Sequence, residues 1–258
     1  MPGAYRYCTR LVEAVRREPD VRTERVTEAM LWDELVIHED AGDWLRVALP
    51  SQAGYGGWMP RGATAGGFRP DGEPGIVRAS CAPLSPVGGE PGTCCGVLWM
   101  GSRVAVAHLG GPTAVVRGPD GREYLMPSHC MRSGEAAHPG AMAAERALAM
   151  VGVPYLWGGM TFRGIDCSGL AQVALRAAGI AVRRDADMQF EDGVAVRREE
   201  LRAGDTAFLE RDGRITHVMM MIDAHRVVHA YGKADAVTVD ALSDDAFAGL
   251  IAGFRRHV

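Results

Sequence analysis

Residues 154–170 read PYLWGGMTFRGIDCSGL, and this stretch decides how the rest of the chain is read. A glycine-bearing segment closes on Asp166, and a cysteine follows at the first position of an expected helix. Aspartate is a strong N-cap because its carboxylate accepts the unpaired N–H groups of the first helical turn. Leu170, Val173, Ala174 and Ala177 then fall on one face of a 3.6-residue period, and Gly179 stands where a C-terminal cap belongs. Cys167 therefore sits where helix N–H groups and the macrodipole favour a thiolate, and the chemistry is expected there.

On the N-terminal side of this stretch, Pro139 is tolerated in a first helical turn, and MAAERALAMV (142–151) carries strong helix formers until Gly152 stops it. On the C-terminal side, RRDADMQ (183–189) reads as a loop running into a short helix. The hydrophobic period then falls to two, giving strands at 206–209, 217–222, 226–230 and 250–255. Helices first and strands after imply an α+β domain with an antiparallel sheet.

The front half has a different texture. Residues 9–18 read as a short helix or as a first strand and loop. Strands are expected at 34–38 and 44–49 around the turn Asp40-Ala41-Gly42-Asp43, and GYGGWMP (54–60) reads as a tight turn entering a strand. A Gly/Pro-rich linker is expected over 62–76, with further strands at 77–80, 96–100, 103–107, 113–117 and 122–126. Both β regions close alike, with a Gly turn, an aromatic and Met-Pro (Met59-Pro60, Met126-Pro127), which suggests a duplicated small barrel.

Composition bounds the function. The chain has 258 residues, 47% hydrophobic and 23% charged, enough for one large domain or two to three small ones. A net charge of -4 and a pI near 6.1 argue against a general nucleic-acid or anionic-membrane binder. Six cysteines (8, 81, 94, 95, 130 and 167) are too few and too irregular for a disulfide scaffold. Zinc at Cys81, Cys94 or Cys95, His129 and Cys130 matches no common spacing, so the thiols other than Cys167 are expected to be mostly buried, with no metal. The opening residues MPGAYRYCTRLVEAVRREPD hold no apolar run of signal-peptide length, and the expected location is cytoplasmic.

A thiol nucleophile needs an imidazole and a group that orients it. His217 and His229 stand twelve positions apart on expected neighbouring strands, with equal parity, so both can share one face beside Cys167. Spacing alone leaves two readings: a Cys167/His217/His229 triad, or ordinary packed histidines and a small buried thiol.

Resemblance separates them. PYLWGG…GIDCSGL, RRDADMQ, the run Leu201-Arg202-Ala203-Gly204-Asp205, His217-Val218 and His229 closely resemble the signature of the NlpC/P60 family of papain-like cysteine peptidases, which cleave bacterial cell-wall stem peptides. The resemblance implies Cys167 as nucleophile, His217 as base and His229 as the polar third member, without cofactor. One departure is Met219, where the family commonly has Gly; its side chain either narrows the cleft or packs away. The two β modules resemble the SH3-like domains that precede such a domain in enzymes of the dipeptidyl-peptidase VI type. The implied architecture is SH3-like domains at 1–66 and 67–136 followed by an NlpC/P60 domain at 137–258. The implied reaction cuts the γ-D-glutamyl–diamino acid bond of free murein peptides and releases L-Ala-D-Glu.

In that group an aromatic hydroxyl and the Asp before the nucleophile hold the substrate ammonium; Tyr55 and Asp166 occupy those positions, with a turn aromatic and a plain N-cap as the alternative readings. Trp157 is expected in the cleft wall or in the core. Ser168 is expected to offer its N–H or hydroxyl to substrate, and Tyr155 its hydroxyl. Arg183 and Arg184 read as carboxylate binders or as a solvated basic pair. The expected partner is a small peptide. The rival functions are an amidase or acyltransferase on another amide, and a non-catalytic cell-wall-peptide binding module.

Overall fold

A computed structural model describes residues 5–90, 92–232 and 234–257; the first four residues of the N-terminal stretch, Pro91 in the GGEPGTCCG segment, Lys233 and Val258 lie outside the described residues. The chain divides into two compact units, with the boundary between Gly134 and Glu135.

The N-terminal unit is all β, apart from short 3-10 turns, and holds two sheets. The first is built from β1 (Tyr5–Cys8), β2 (Val12–Arg16), β3 (Arg25–Met30), β4 (Glu34–Ala41), β5 (Trp44–Leu49), β6 (Tyr55–Pro60) and β7 (Thr64–Gly66). The second is built from β8 (Glu73–Val77), β9 (Cys81–Pro86), β10 (Gly96–Trp99), β11 (Arg103–Gly110), β12 (Thr113–Arg117), β13 (Glu123–Pro127) and β14 (Met131–Ser133). Their orders, β3-β2-β6-β5-β4-β1-β7 and β10-β9-β13-β12-β11-β8-β14, are one topology used twice. The repeated Met-Pro marks the same place in each: a strand ends, a 3-10 turn follows, and a three-residue strand returns to pair with the module's first strand. Met59 and Met126 are both fully buried there. Each sheet encloses its own apolar cluster, around Leu35, Leu45 and Leu49 in the first and Leu84, Leu98 and Val116 in the second. Within this unit Trp32 packs on Tyr124 at 5.0 Å, and Trp99 Nε1 donates to the Leu11 carbonyl at 2.9 Å.

Several expectations change here. Of the two readings of residues 9–18 the strand is the one found, Val12–Arg16 pairing with β3, and the helix is not. The expected linker at 62–76 is largely structured, holding a 3-10 turn, β7 and most of β8. Residues 78–80 are not strand, and the proline-bearing Cys81–Pro86, which lies between β10 and β13, is one of the strands not expected from the sequence. The thiols are not mostly buried: Cys8 and Cys130 are, whereas Cys81, Cys94 and Cys95 are exposed.

The C-terminal unit is α+β. Helix α1 (Pro139–Leu148) leads into the loop and short hairpin of β15 (Met160–Thr161) and β16 (Gly164–Ile165), then α2 (Cys167–Ala177) and α3 (Ala186–Asp192). The sheet comprises β17 (Val194–Val196), β18 (Thr206–Arg211), β19 (Arg214–Met221), β20 (Arg226–Tyr231), β21 (Ala236–Ala241) and β22 (Ile251–Arg256), in the order β17-β22-β18-β19-β20-β21, with every pairing antiparallel. α2 is almost wholly buried and packs on α1 and on β19 and β20, which places its first residue at the centre of the sheet. Met219 is 1% exposed in an apolar cluster with Leu201, Ala207, Leu209 and Phe247, so it packs away rather than narrowing a cleft.

Candidate active site

Asp166 caps α2 as its sequence position predicts: Oδ1 accepts from Gly169 N at 2.6 Å. The same carboxylate takes four further bonds, from Gly158 N at 2.8 Å, Ser168 Oγ at 3.3 Å, Arg184 Nη1 at 3.0 Å and Arg184 Nη2 at 2.7 Å. Arg184 is only 1% exposed, so the solvated basic pair is overturned for it; Arg183 lies at the surface against Glu191 and Asp192. Arg184 also donates to Ser168 Oγ at 2.7 Å. Ser168 is itself buried, its hydroxyl directed into this network.

Cys167 follows at the helix start with partial solvent access. The thiolate preference read from the helix terminus does not survive the tertiary surroundings. Burial above all, then the Asp166 charge, pushes the thiol up to about 12, while main-chain hydrogen bonds from Val218 and Ser168, together with Arg184, pull it the other way. The Val218 bond sets the sulfur against β19, at the residue that follows His217 in the chain.

A bulge shapes that strand. The pairing with β18 jumps from Leu209↔His217 to Glu210↔Ile215, leaving Thr216 as the extra residue beside the histidine. The β19–β20 ladder pairs Met220 with Val228 and Met221 with Val227, and beyond it the His217 ring lies 5.0 Å from His229 and 5.8 Å from Tyr231. The two imidazoles meet there, His217 Nε2 to His229 Nδ1 at 2.7 Å. His229 is fully buried, with the Tyr231 ring stacked on it at 5.0 Å and Phe247 edge-on at 5.5 Å. Burial, then the neighbouring His229, holds His217 down at about 3, and burial also lowers His229 against the raising effect of Asp240. Burial thus favours the uncharged form of all three groups, thiol and imidazoles.

Tyr155 is half-buried near the thiol, and burial with the Cys167 and Asp166 charges raises its hydroxyl, which stays protonated as a donor. Trp157 is 62% exposed, which settles its alternatives against core packing. Tyr55 opens β6 in the N-terminal unit, packs on that module's core, and lines a surface groove with Arg17, His38, Arg46 and Trp58. Sequence reading missed one residue, Asp240, and one pairing. Asp240, on the unrecognised strand β21, accepts from His229 Nε2 at 2.8 Å; Arg184 was seen but not paired with Asp166. The only sequence signal for Asp240 is the alternation Val237-Thr238-Val239-Asp240, which is short and follows a loop.

The chain is similar to several known proteins. Residues 152–256 match the model of the NlpC/P60 family. A γ-D-glutamyl-L-lysine dipeptidyl-peptidase of Bacillus cereus is 33% identical over 111 residues, covering 42% of this chain and 33% of that protein, so the match spans a third of the relative's length. A protein of the same description from Bacillus subtilis is 23% identical over 257 residues, covering 89% of this chain and 80% of the relative. The crystal structure of an NlpC/P60 family protein from Bacillus cereus superposes with a TM-score of 0.86 at 21% identity, covering 98% of this chain and 99% of that one, which shows a shared fold. Residues 152–256 of this chain are thus similar to the NlpC/P60 family, and the chain shares the fold of a solved protein of that family.

Proposed function

We propose that the chain hydrolyses the γ-D-glutamyl–diamino acid bond of free murein stem peptides bearing an unblocked N-terminal L-Ala, releasing L-Ala-D-Glu. The observations that support the hydrolytic part are a thiol at the start of α2 that accepts a main-chain hydrogen bond from Val218 of β19, and the residue before Val218, His217, whose imidazole meets a second, buried histidine at 2.7 Å. The substrate class is taken from the relatives described as γ-D-glutamyl-L-lysine dipeptidyl-peptidases.

In this reading His217 accepts the Cys167 proton as sulfur attacks the scissile carbonyl, so charge forms only as the bond does. The Cys167 N–H at the helix start and the protonated Tyr155 hydroxyl face the developing oxyanion. His217 returns its proton to the leaving amine, an acyl-enzyme remains, and water deprotonated by His217 releases the dipeptide. His229 orients His217. Trp157 offers an exposed aromatic wall to the peptide, while Ser168 acts from within the Asp166 network. The β modules are read as SH3-like domains, with Tyr55 of the first meeting the substrate ammonium. Asp166 shares that task only in competition with Arg184, because its oxygens already accept five bonds. A soluble peptide met in the cytoplasm is the partner this proposal requires.

The test is incubation with L-Ala-γ-D-Glu-diaminopimelate and its N-acetylated twin, with products read by mass spectrometry. L-Ala-D-Glu is expected from the free peptide alone, and Cys167→Ala is expected to lower turnover by at least ~10⁴-fold. Cleavage of both peptides overturns the ammonium requirement and keeps the peptidase; cleavage of neither turns the reading toward another amide.

A further inference from the structure

The histidine pair continues one residue further than a triad. His229 Nδ1 lies 2.7 Å from His217 Nε2, and His229 Nε2 lies 2.8 Å from Asp240 Oδ2. Thr238 Oγ1 donates to the same carboxylate oxygen at 3.0 Å, holding it in place from within β21. Asp240 is two positions past Thr238, which pairs with His229 across the β20–β21 ladder.

Proton accounting along this chain has a single solution. A carboxylate only accepts, so the proton between Asp240 and His229 belongs to Nε2 of the histidine. A neutral imidazole carries one N–H, so His229 Nδ1 is then an acceptor. The proton between the rings must come from His217 Nε2. That leaves His217 Nδ1 unprotonated, with a lone pair free for the thiol proton. Without the carboxylate, His229 can carry its proton on Nδ1 instead, which turns the inter-ring bond around and places the His217 proton on Nδ1, where it blocks general-base action.

We infer that Asp240 is a positioning residue that sets the direction of the His229–His217 hydrogen bond and thereby the basic tautomer of His217. The inference rests on the peptidase reading for its catalytic consequence, though not for its structural content. The titratable groups facing the pair are Tyr231 from β20 and Asp240 from β21; Arg211 of β18 acts on His217 through space, and Cys167 of α2 bonds the main chain of the next residue, Val218. Asp240 is the carboxylate that touches an imidazole of the pair among the described residues. Its side chain is 35% exposed, so replacing it removes little packing.

The experiment is ¹⁵N NMR of histidine-labelled full-length protein, wild type against Asp240→Ala and Asp240→Asn. The wild type is expected to show N–H on Nε2 of both His217 and His229. Asp240→Asn keeps that pattern, because its amide oxygen accepts from Nε2 and from Thr238. Asp240→Ala shifts His229 toward the Nδ1–H form, slows iodoacetamide alkylation of Cys167 at pH 7, and lowers kcat by about 10²-fold with KM changed less than about twofold. Wild-type spectra with His229 protonated on Nδ1, or Asp240→Ala with unchanged tautomers and alkylation, overturn the inference. Failure of the peptidase reading looks different: the wild type shows the stated tautomers and cleaves neither peptide.

Discussion

At the scale of single residues, Arg184 and Asp166 show how a site builds rigidity from a buried charge pair. The guanidinium meets both carboxylate oxygens and the Ser168 hydroxyl, with its own surface 1% exposed. Removing one partner of such a pair strands the other, at a cost of about 3–5 kcal/mol. Arg184→Met is therefore expected to lower the unfolding free energy by that amount in urea titration. Asp166→Asn combined with Arg184→Met is expected to be less destabilised than the sum of the single changes, because the uncompensated carboxylate is gone. The residue pattern DCSG made Asp166 readable as a cap; its partner, eighteen positions later, becomes visible only when α3 folds back toward α2.

Among the elements, α1 illustrates the limits that packing sets. Its first turn lies against the Ala203-Gly204 turn, where Gly204 has φ of +90° and a Cβ would stand 2.3 Å from Gly140 Cα. An alanine at 204 meets both a left-handed backbone and a main-chain clash, so Gly204→Ala is expected to cost about 2 kcal/mol or more, seen as a lower thermal midpoint. The helices around Cys167 were legible because amphipathic period and caps are local signals: α2 begins and ends where Asp166 and Gly179 place it, within a residue. Strands β9 and β21 were not. β9 carries prolines at 83 and 86, and proline argues against a strand inside a sheet; here the strand lies between β10 and β13. β21 is an edge strand in which only Val237 is buried, so its hydrophobic alternation is weak.

For the whole molecule, burial of histidine in the C-terminal unit predicts acid sensitivity. Burial holds His257 down at about 4 and His217 at about 3, and lowers His229 as well. An unfolded chain takes up these protons near pH 6.5. The folded values are depressed, so their contribution is complete above about pH 6.5 and is lost as pH falls toward 4, with a slope of up to about 1.4 kcal/mol per pH unit for each histidine. Urea midpoints are expected to fall between pH 7 and pH 4, and His257→Gln is expected to flatten that fall. Insensitivity of the wild-type midpoint over this range would contradict the burial argument.

Sequence by itself determined the order of parts: two β regions that close on Met-Pro, then helices, then strands, with Cys167 at a capped helix start. Those features are short-range, set by period, turn chemistry and capping within a dozen residues. The tertiary structure decided which groups touch and how they are charged. It gave Asp166 a buried cation, enclosed the thiol so that desolvation outweighs the helix terminus, and joined His217, His229 and Asp240 across three strands. Hydrogen bonds and desolvation act over a few ångströms in space, between residues 11 to 18 positions apart here, and no local pattern encodes that meeting.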